Sequence, residues 1–485
     1  MAQEEAKDLV LTYSQQRAFD KMMAFLDDKS AKVFILKGYA GTGKTTMMRK
    51  LIEEIDKRKK SVSLLASTGR AAKILANTTG RSTKTVHSEI YQFADLNTDL
   101  EKMAADRETH EVDETGQLLL NFGLVTKRYF PSEDDMDFEK FYIVDEASML
   151  SDMEEKSPTQ AVFGSGKVLT DLLSHDEKGR YIFVGDCCQL PPVNQRVSPA
   201  LTANYLEQEF GIKVYEAELT QIVRQGEGND IVLSAQKIRQ LYANPQPWKW
   251  AKFPMKGYRN IHLLNSQAEL INQYIQTVKE HGYNDATLLC FSNRQCDMTT
   301  QILRPSFGHY TKQLEVGDLL LVTQNNLLSG LMNGDLVTVT DVMVTERKAG
   351  LTFVKVEVKE LFTGKVCSQF LIADILYSEQ TNLAQTQHKE LFIDFYYRMK
   401  DKGIKQKSVE FKRQMLEDPY LNALRAVFGY ALTCHKAQGG EWNHVYLDIP
   451  KSVPVLHKPY VYQWIYTAMT RAKLELYIVD DFWVM

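Results

Sequence analysis

The sequence predicts an α/β fold with two cores of parallel strands, because short apolar runs alternate with polar turns and helix-compatible stretches. Residues 33–36 (VFIL), 141–144 (FYIV) and 181–184 (YIFV) have the uninterrupted apolar character of strands buried on both faces of a sheet. Comparable runs at 286–291 and 476–479 predict a second core of the same kind farther along the chain.

The first strand is followed by a phosphate-binding loop. Residues 38–45 read GYAGTGKT, which matches GxxxxGK[ST] between a predicted strand and a predicted helix. Its glycines permit a tight turn that aims backbone N–H groups at phosphates, Lys44 would reach the β- and γ-phosphates, and Thr45 would ligate Mg²⁺. We therefore expect a nucleoside triphosphate here, rather than a glycine-rich turn without a ligand. The residues expected to bind it from this segment are Gly38, Tyr39, Ala40, Gly41, Thr42, Gly43, Lys44, Thr45 and Thr46.

Two acids follow the second predicted strand. Asp145 and Glu146 come directly after residues 141–144, at what would be the carboxyl edge of the sheet. Asp145 would hold Mg²⁺ together with Thr45, and Glu146 would orient the water that attacks the γ-phosphate. Solvated acids are common at strand ends, so this assignment depends on the phosphate-binding loop.

Length and composition narrow the class of protein. A chain of 485 residues suggests about three or four structural units. With 44% hydrophobic and 25% charged residues it has a globular composition, and no apolar stretch is long enough to span a bilayer. The acidic start is unlike a secretory signal, and the six cysteines lack paired CxxC spacing. These features predict a cytoplasmic protein with reduced cysteines and no zinc site.

Charge is unevenly distributed along the chain. The net charge of −4 does not favour nonspecific electrostatic attraction to nucleic acid. A groove lined locally with hydrogen-bond donors can nevertheless bind it. Residues 91–140 hold thirteen acids and five bases, whereas residues 388–416 hold eight bases and four acids. The basic segment is either a solvated helix face or a surface that follows a phosphate backbone.

Further polar turns occur where predicted strands end. STGRAA at 67–72 opens a helix whose free N–H groups suit a phosphate, and TVHS at 85–88 places hydroxyls beside an imidazole. GDCCQLPPV at 185–193 follows a strand, and its double proline forces the chain out of the sheet. Gln189 is thereby expected at the carboxyl edge, where the γ-phosphate would lie, as a sensor.

Taken in order, these motifs resemble those of the superfamily-1 DNA helicases, and most closely the PIF-type and RecD-like group, superfamily 1B. The motifs are LTYSQ, GYAGTGKT, STGRAA, TVHS, VDEAS, VGDCCQLPPV, LTQIVRQ, YALTCHKAQGGEW and YTAMTRAK, and they cover most of the chain. The resemblance implies an ATP- and Mg²⁺-dependent DNA helicase that moves 5′-to-3′ along single-stranded DNA and acts as a monomer on fork or tailed duplex DNA.

The same resemblance implies roles for individual residues. Gln15 would read the adenine, and Arg224 and Arg471 would contact the γ-phosphate, where a planar guanidinium stabilises the charge of the transition state. Gln189 would couple nucleotide state to the DNA track. The catalytic set is then Glu146, Lys44, Arg224, Arg471 and Gln189. Gln438, Gly439 and Glu441 join the nucleotide site, and the residues implied to contact DNA are Thr68, His87, Asn293, Thr433 and His435.

The resemblance also implies two RecA-like motor domains that close on the nucleotide. The expected bounds are 1–225 for the first, with a wedge-type insertion at about 91–140, and 226–311 with 421–485 for the second. Residues 312–420 contain short β-branched segments separated by turns, which predict a small antiparallel barrel, SH3-like by the resemblance, followed by the basic helical segment.

The acidic character of the wedge-type insertion departs from what a pin against DNA requires. Only its part at 116–130 is a plausible contact surface, through Phe122, Lys127, Arg128, Tyr129 and Phe130. Two other functions stay open: an RNA or mixed-substrate helicase, and an ATP-gated DNA clamp that does not separate strands.

Overall fold

The computed structural model describes nine stretches of the chain. They are residues 11–96, 100–105, 124–128, 139–154, 164–223, 229–326, 328–378, 381–453 and 459–485. In chain order the helices are α1 (Tyr13–Asp27), α2 (Lys44–Lys57), α3 (Gly69–Thr79), α4 (Val86–Ile90), α5 (Leu100–Ala105), α6 (Val168–Leu173), α7 (Ala203–Phe210), α8 (Asp230–Ala243), α9 (Gln267–His281), α10 (Asn293–Ser306), α11 (Ala373–Leu376), α12 (Gln385–Asp401), α13 (Val409–Glu417) and α14 (Tyr460–Met469).

The strands follow the same order. They are β1 (Ala31–Gly38), β2 (Ser61–Ala66), β3 (Thr83–Thr85), β4 (Tyr91–Leu96), β5 (Leu124–Arg128), β6 (Lys140–Asp145), β7 (Arg180–Gly185), β8 (Lys213–Leu219), β9 (Ile261–Leu264), β10 (Ala286–Cys290), β11 (Leu319–Val322), β12 (Leu336–Lys348), β13 (Leu351–Glu360), β14 (Val366–Ile372), β15 (Ala426–Phe428), β16 (Leu432–Thr433), β17 (Trp442–Asp448) and β18 (Ala472–Val479).

The first core is a parallel sheet in the order β3-β2-β6-β7-β1-β8. The registers bring Val33 of β1 opposite Tyr181 of β7, and Ile143 of β6 opposite Ile182 of β7. Helices α1 and α2 cover one face, while α4, α6 and α7 cover the other. Because β6, β7 and β1 are neighbours, the turns that follow them meet at one edge of the sheet.

The second core is a parallel sheet in the order β16-β10-β17-β18-β9. Its apolar cluster includes Ile231 and Ile238 of α8, Tyr274 of α9, and Trp464 and Ile465 of α14. The prediction of an α/β fold with two parallel cores is therefore confirmed. α8 precedes the second sheet in sequence and packs on it, so the chain crosses between the cores before α8.

The segment between the strands of the second core forms a separate antiparallel sheet in the order β14-β13-β12-β11-β15. A bridge between Leu371 and Leu424 joins the β14 edge to the chain just before β15, so the sheet closes as a small barrel. The barrel takes its last strand from 426–428, beyond position 420 where we expected the insertion to end. Its SH3-like character stays a prediction.

The two insertions touch each other. In the wedge-type insertion β4 and β5 pair antiparallel, and Leu100 and Ala104 of α5 share an apolar cluster with α12 and α13 of the basic segment, including Phe395 and Phe411. Lys127 and Arg128 lie in β5, whereas Phe122, Tyr129 and Phe130 lie outside the described residues.

All six cysteines are free thiols. Within the described ranges, no helix combines the length and the apolar character needed to cross a bilayer.

Candidate nucleotide site and nucleic-acid interface

The phosphate-binding loop connects β1 to α2 through two glycines with left-handed backbone. Gly41 has φ +75° and Gly43 has φ +84°, a region that side chains with a Cβ rarely adopt. A Cβ on Gly43 would also lie 2.5 Å from Nε2 of Gln15. The first N–H groups of α2 have no acceptor within the helix, so the loop presents them to a phosphate.

Lys44 lies folded along this loop. Its Nζ donates to the carbonyl oxygens of Gly38 (2.8 Å) and Tyr39 (3.3 Å), and a Cβ on Gly38 would come within 2.7 Å of Cγ of Lys44. Burial raises the pKa values of Asp145 and Asp186, and the nearby ammonium group partly opposes that rise. The ammonium group of Lys44 therefore lies where a cation is needed to bind the β- and γ-phosphates.

Asp145 ends β6 and Glu146 follows it, at the carboxyl edge where both were expected. Burial, with a further contribution from Glu146, raises the pKa of Asp145 to about 6, and Oδ1 of Asp145 accepts the N–H of Glu146 (2.9 Å). Glu146 has φ +51°, and the Ser67 hydroxyl donates to its carbonyl oxygen (2.7 Å). A non-glycine residue in this left-handed region is uncommon and is often associated with function.

A third acid, Asp186, lies at the same edge, although the motifs gave it no role in advance. It is fully buried at the end of β7, and burial raises its pKa. Its Oδ1 accepts the N–H of Cys188 (2.9 Å), and its Oδ2 accepts the hydroxyl of Tyr466 (2.6 Å) from α14 of the second core. The position of Asp186 directly after a buried strand, the signal used for Asp145, was sufficient to find it.

Tyr466 joins the second core to the phosphate-binding loop. Besides donating to Asp186, its hydroxyl accepts the N–H of Ala40 (3.1 Å), and the side chain is 2% exposed. One hydroxyl therefore touches two of the turns that surround the expected phosphates.

The turn after β7 is held by the second core as well. The N–H of Leu190 donates to Oγ1 of Thr467 (2.8 Å), and its carbonyl oxygen accepts Nε2 of Gln438 (3.0 Å). Gln189 is 5% exposed, and its carbonyl oxygen accepts Nε2 of Gln463 (3.4 Å). Within the described part of the chain, Oε1 of Gln189 is buried without a hydrogen-bond partner. The sensor role of Gln189 stays a prediction.

Gln15 contacts the loop directly. Its Oε1 accepts the N–H of Thr12 (3.0 Å), which forms a capping box at the start of α1, and its Nε2 donates to the carbonyl oxygen of Thr42 (3.2 Å). Both ends of the carboxamide are thus used within the protein in this form. Its predicted contact with adenine stays untested.

Of the two arginines predicted to contact the γ-phosphate, Arg471 lies within the described residues and Arg224 does not. Arg471 is buried, and it donates through Nε to the carbonyl oxygen of Thr467 (3.1 Å) and through Nη1 to that of Gly440 (3.3 Å). Arg224 lies outside the described residues. Glu441 raises the pKa of Asp145, which places it near the acids, and it lies 3.6 Å from Nζ of Lys473.

The candidate DNA contacts lie on turns of both cores. Oγ1 of Thr68 accepts the N–H of Ala71 and caps α3 (3.2 Å), and a Cβ on Gly439 would lie 3.0 Å from that Oγ1. The structure therefore brings the Thr68 turn of the first core against the Gly439 turn of the second. Thr433 ends β16 beside Cys290 of β10, and Asn293 begins α10, so these two lie at neighbouring strand ends.

Burial disfavours the charged form of both candidate histidines. Burial lowers the pKa of His87 and of His435 below the ordinary value for histidine. The His87 ring lies 5.7 Å from that of Tyr91, at the start of the wedge-type insertion. Neutral imidazoles can donate a hydrogen bond to DNA without contributing charge.

Helix α3 also connects to the barrel and to the second core. Arg70 stacks on Trp442 at 4.1 Å, and Lys73 pairs with the buried carboxylate of Asp335 (2.8 Å). A Cβ on Gly69 would lie 2.2 Å from Cβ of Met332, so the barrel loop packs directly on the first turn of α3. Sequence reasoning missed Arg70 and Lys73, because neither stands in a pattern distinct from a solvated helix face.

The residues at the sheet edge fit a nucleotide with Mg²⁺. The left-handed glycines leave room for phosphates, Lys44 supplies the cation, and Asp145 supplies a hard oxygen ligand. Two parallel cores whose turns share this site define a P-loop nucleoside triphosphatase with two motor-type cores.

Two family models match the chain and together cover more than half of it. A model described as AAA domain matches residues 10–243, and one described as UvrD-like helicase C-terminal domain matches residues 428–479. With the ordered motifs, these matches show that the chain belongs to the superfamily-1B helicases, in the PIF-type and RecD-like group.

Curated relatives are distant. Uncharacterized protein R530 of Acanthamoeba polyphaga mimivirus is 22% identical over 95% of this chain and 98% of that protein. The ATP-dependent RecD2 DNA helicase of Deinococcus radiodurans is 24% identical over 91% of this chain, but this chain covers only 46% of it.

Solved structures with similar folds include Pif1 helicases. The Bacteroides Pif1 helicase in complex with ADP-AlF3 and ssDNA has 18% identity and a TM-score of 0.46, covering 98% of this chain and 93% of that one. The Candida albicans Pif1 helicase has 16% identity and a TM-score of 0.39, covering 98% of this chain and 96% of that one.

Proposed function

We propose that the protein is an ATP-dependent DNA helicase that moves 5′-to-3′ on single-stranded DNA and separates duplex DNA, driven by Mg-ATP hydrolysis between two RecA-like domains. The observation that carries this proposal is the hydroxyl of Tyr466, which comes from the second core and bonds both Ala40 and Asp186 of the first. Binding or loss of the γ-phosphate would therefore alter contacts between the two cores.

The first step is nucleotide binding. Backbone N–H groups of the loop and the ammonium of Lys44 would hold the phosphates, and Gln15 would face the base. Thr45 and Asp145 would hold Mg²⁺, which when bound neutralises charge on the β- and γ-phosphate oxygens. With a pKa of about 6, Asp145 is mostly ionised at neutral pH and is able to act as this ligand.

The second step is hydrolysis. Glu146, held at the end of β6 by Asp145 and Ser67, would orient the attacking water. Arg471 and Arg224 would stabilise charge on the γ-phosphate in the transition state. Arg471 would then exchange the carbonyl oxygens of Thr467 and Gly440 in its own core for the γ-phosphate, and closure of the second core on the nucleotide would accompany this exchange.

The third step couples hydrolysis to movement. Gln189 and Leu190 stand between the acids of the first core and Gln463, Thr467 and Gln438 of the second. Opening and closing of this interface would slide the Thr68 turn against the Gly439 turn. Alternating grips by the turns of the two cores would then carry the chain along a strand.

Single-stranded DNA is the proposed substrate along which the protein moves. The protein would contact it through hydrogen-bonding side chains rather than through a basic surface. The RecD2 relative is described as a DNA helicase, and by that likeness we extend a DNA substrate to this chain. The proposed contacts are Thr68, His87, Asn293, Thr433 and His435.

The domain bounds belong to the same proposal. We assign 1–225 to the first motor domain, and 226–311 with the segment expected at 421–485 to the second. The SH3-like barrel and basic helices, expected at 312–420, would extend to the end of β15 at 428, which leaves 429–485 for the second motor domain, and about 91–140 would form the wedge. A monomeric working state and a cytoplasmic location remain predictions.

Unwinding of tailed duplexes tests the proposal. Two partial duplexes, one with a 5′ tail and one with a 3′ tail, are incubated with protein, ATP and Mg²⁺, with Lys44→Ala as the inactive control. We expect only the 5′-tailed duplex to open. If only the 3′-tailed duplex opens, the protein is a helicase that moves in the opposite direction, 3′-to-5′. If DNA stimulates ATP hydrolysis but neither duplex opens, the result favours the ATP-gated DNA clamp. A matching RNA-tailed duplex tests the RNA alternative.

A further inference from the structure

Two adjacent cysteines lie in the turn after β7, which joins the two cores. Cys187 and Cys188 directly follow Asp186 and are the one pair of consecutive cysteines in the chain. The two Sγ atoms and a carboxylate oxygen of Asp186 all lie within 4.8 Å of one another. Cys188 is buried in the apolar cluster of the second core, and Cys187 packs partly against the same cluster. A new bond at these sulfurs would therefore change the packing between the cores.

One of the two thiols is accessible to a small molecule. Cys187 is only partly buried and lines a cavity of about 290 Å³. Lys37 of β1 lines this cavity from the first core, and Tyr242 of α8 lines it from the second. The side chains of Ser198 and Asn204 add polar groups to its wall. A small polar reagent can thus reach Cys187, while Cys188 lies behind it.

The two thiols also differ in reactivity. The hydrogen bond from Cys188 lowers the pKa of Cys187, and the charge of Lys37 adds to this effect. The same hydrogen bond, together with burial, raises the pKa of Cys188. Because the thiolate is the nucleophile in thiol–disulfide exchange, Cys187 is the attacking sulfur and Cys188 supplies the second thiol.

We propose that Cys187 and Cys188 form a covalent modification site at which a small-molecule disulfide, such as oxidised glutathione, oxidises the two thiols to one disulfide. The Cys187 thiolate attacks one sulfur of the reagent, which forms a mixed disulfide and releases one glutathione thiolate. The sulfur of Cys188 then attacks Sγ of Cys187, which forms the bond between the two cysteines and releases the second glutathione thiolate. The protons lost by the cysteines go to the released thiolates, so two thiols are oxidised and one reagent disulfide is reduced.

A disulfide between consecutive residues is strained and alters the turn. The Cα atoms of neighbouring residues lie about 3.8 Å apart across a trans peptide bond, closer than the about 4.4–6.8 Å typical of disulfides. Strain makes the bond easy to reduce, as a reversible modification requires. In the present turn the N–H of Cys188 donates to Oδ1 of Asp186 (2.9 Å), and the N–H of Leu190 donates to Oγ1 of Thr467 (2.8 Å). Closing the ring would distort these bonds, loosen the contact between the cores and slow ATP hydrolysis.

Mass spectrometry and ATP turnover after incubation with oxidised glutathione test this site. In the wild type, the peptide that carries residues 187 and 188 should lose both thiol hydrogens, and dithiothreitol should restore them. We expect the rate of ATP hydrolysis to fall about fivefold or more on oxidation, the factor that corresponds to one ordinary hydrogen bond, and to recover on reduction. Cys188→Ala should stop at the mixed disulfide on Cys187, and Cys187→Ala should not react at this peptide. Each variant is compared with its own reduced form.

Cys367→Ala is the matched control, because Cys367 is also a partly buried thiol but lies in β14 of the barrel. This variant should be inhibited by oxidised glutathione as strongly as the wild type. Inhibition that persists in Cys187→Ala and disappears in Cys367→Ala would overturn the proposal. A wild type that carries only a mixed disulfide would also overturn it, as would a disulfide between Cys187 and Cys188 that leaves turnover unchanged.

The turnover measurement rests on the proposed function, whereas the mass measurement does not. If the reduced wild type hydrolyses no ATP, the proposed function is wrong, and the melting temperature replaces turnover as the second measurement. A disulfide that forms at residues 187 and 188 and lowers the melting temperature of the wild type would then support the modification site. Absence of that disulfide, or a disulfide without a change in melting temperature, would overturn it.

Discussion

Replacing Tyr466 with phenylalanine should weaken the contact between the two cores more than an ordinary buried Tyr→Phe change does. The variant keeps the ring of Tyr466 and removes only the hydroxyl that donates to Asp186 (2.6 Å) and accepts from Ala40 (3.1 Å). A hydrogen bond to a charged group contributes about 1.5–3 kcal/mol, and a buried N–H left without an acceptor costs about 1 kcal/mol or more.

Tyr274→Phe is the matched control. Tyr274 is 1% exposed, belongs to the same apolar cluster, and donates one hydrogen bond to the carbonyl oxygen of Tyr430 (2.9 Å) within the second core. The Tyr274→Phe variant should lose about 1 kcal/mol of unfolding free energy. Tyr466→Phe should therefore lose about 2 kcal/mol more unfolding free energy than the control. For domains of this size, that difference lowers the melting temperature by about 4–8 °C.

Calorimetry of the nucleotide-free proteins measures this difference. We expect the Tyr466 variant to bring the melting transitions of the two cores further apart, because two of the hydrogen bonds that join the cores are lost while those of Gln189 and Leu190 remain. Equal shifts for the Tyr466 and Tyr274 variants would refute the view that this hydroxyl joins the cores at the phosphate-binding loop.

Three further predictions concern the nucleotide site and the barrel. Lys44→Ala should reduce ATP turnover by about 10³-fold or more with the circular-dichroism spectrum unchanged, and normal phosphate release would contradict the site. Asp145, with its pKa raised to about 6, is protonated below that pH, so the apparent Mg²⁺ affinity should fall about tenfold per pH unit below about 6, a step that Asp145→Asn should lack. Lys73→Gln removes the ammonium group paired with the buried carboxylate of Asp335 (2.8 Å), so stability should fall by about 3 kcal/mol at pH 8. Burial already raises the pKa of Asp335, and the variant removes the cation that opposes this rise, so the loss in melting temperature should shrink as the pH is lowered; a loss independent of pH would contradict the buried pair.

The nucleotide site was predictable where its signals are local. The phosphate-binding loop is contiguous in sequence, and the acids at 145 and 146 follow a buried strand, so strand-edge reasoning placed them correctly. Tyr466 gave no such signal, because it lies in an apolar helix 280 residues from Asp186 and its role depends on how the two cores meet.

The barrel was predictable as a set of short strands, but its charged interior was not. The short β-branched segments expected within 312–420 are found as the strands β11–β14. The side chain of Arg425 has hydrogen-bond partners from three separate segments, at 324, 382 and 388, so its contacts appear only after folding. Lys73 likewise reads as a solvated residue of α3 until the barrel brings Asp335 against it.

Directional movement along single-stranded DNA is the central claim, and displacement of streptavidin from biotinylated oligonucleotides measures it without duplex. Oligonucleotides carrying biotin at either the 3′ or the 5′ end are incubated with protein and Mg-ATP, with Lys44→Ala as the control. A 5′-to-3′ motor should displace streptavidin from the 3′ end only, and the control should displace none. Displacement from the 5′ end alone, or from neither end despite DNA-stimulated hydrolysis, would contradict the account.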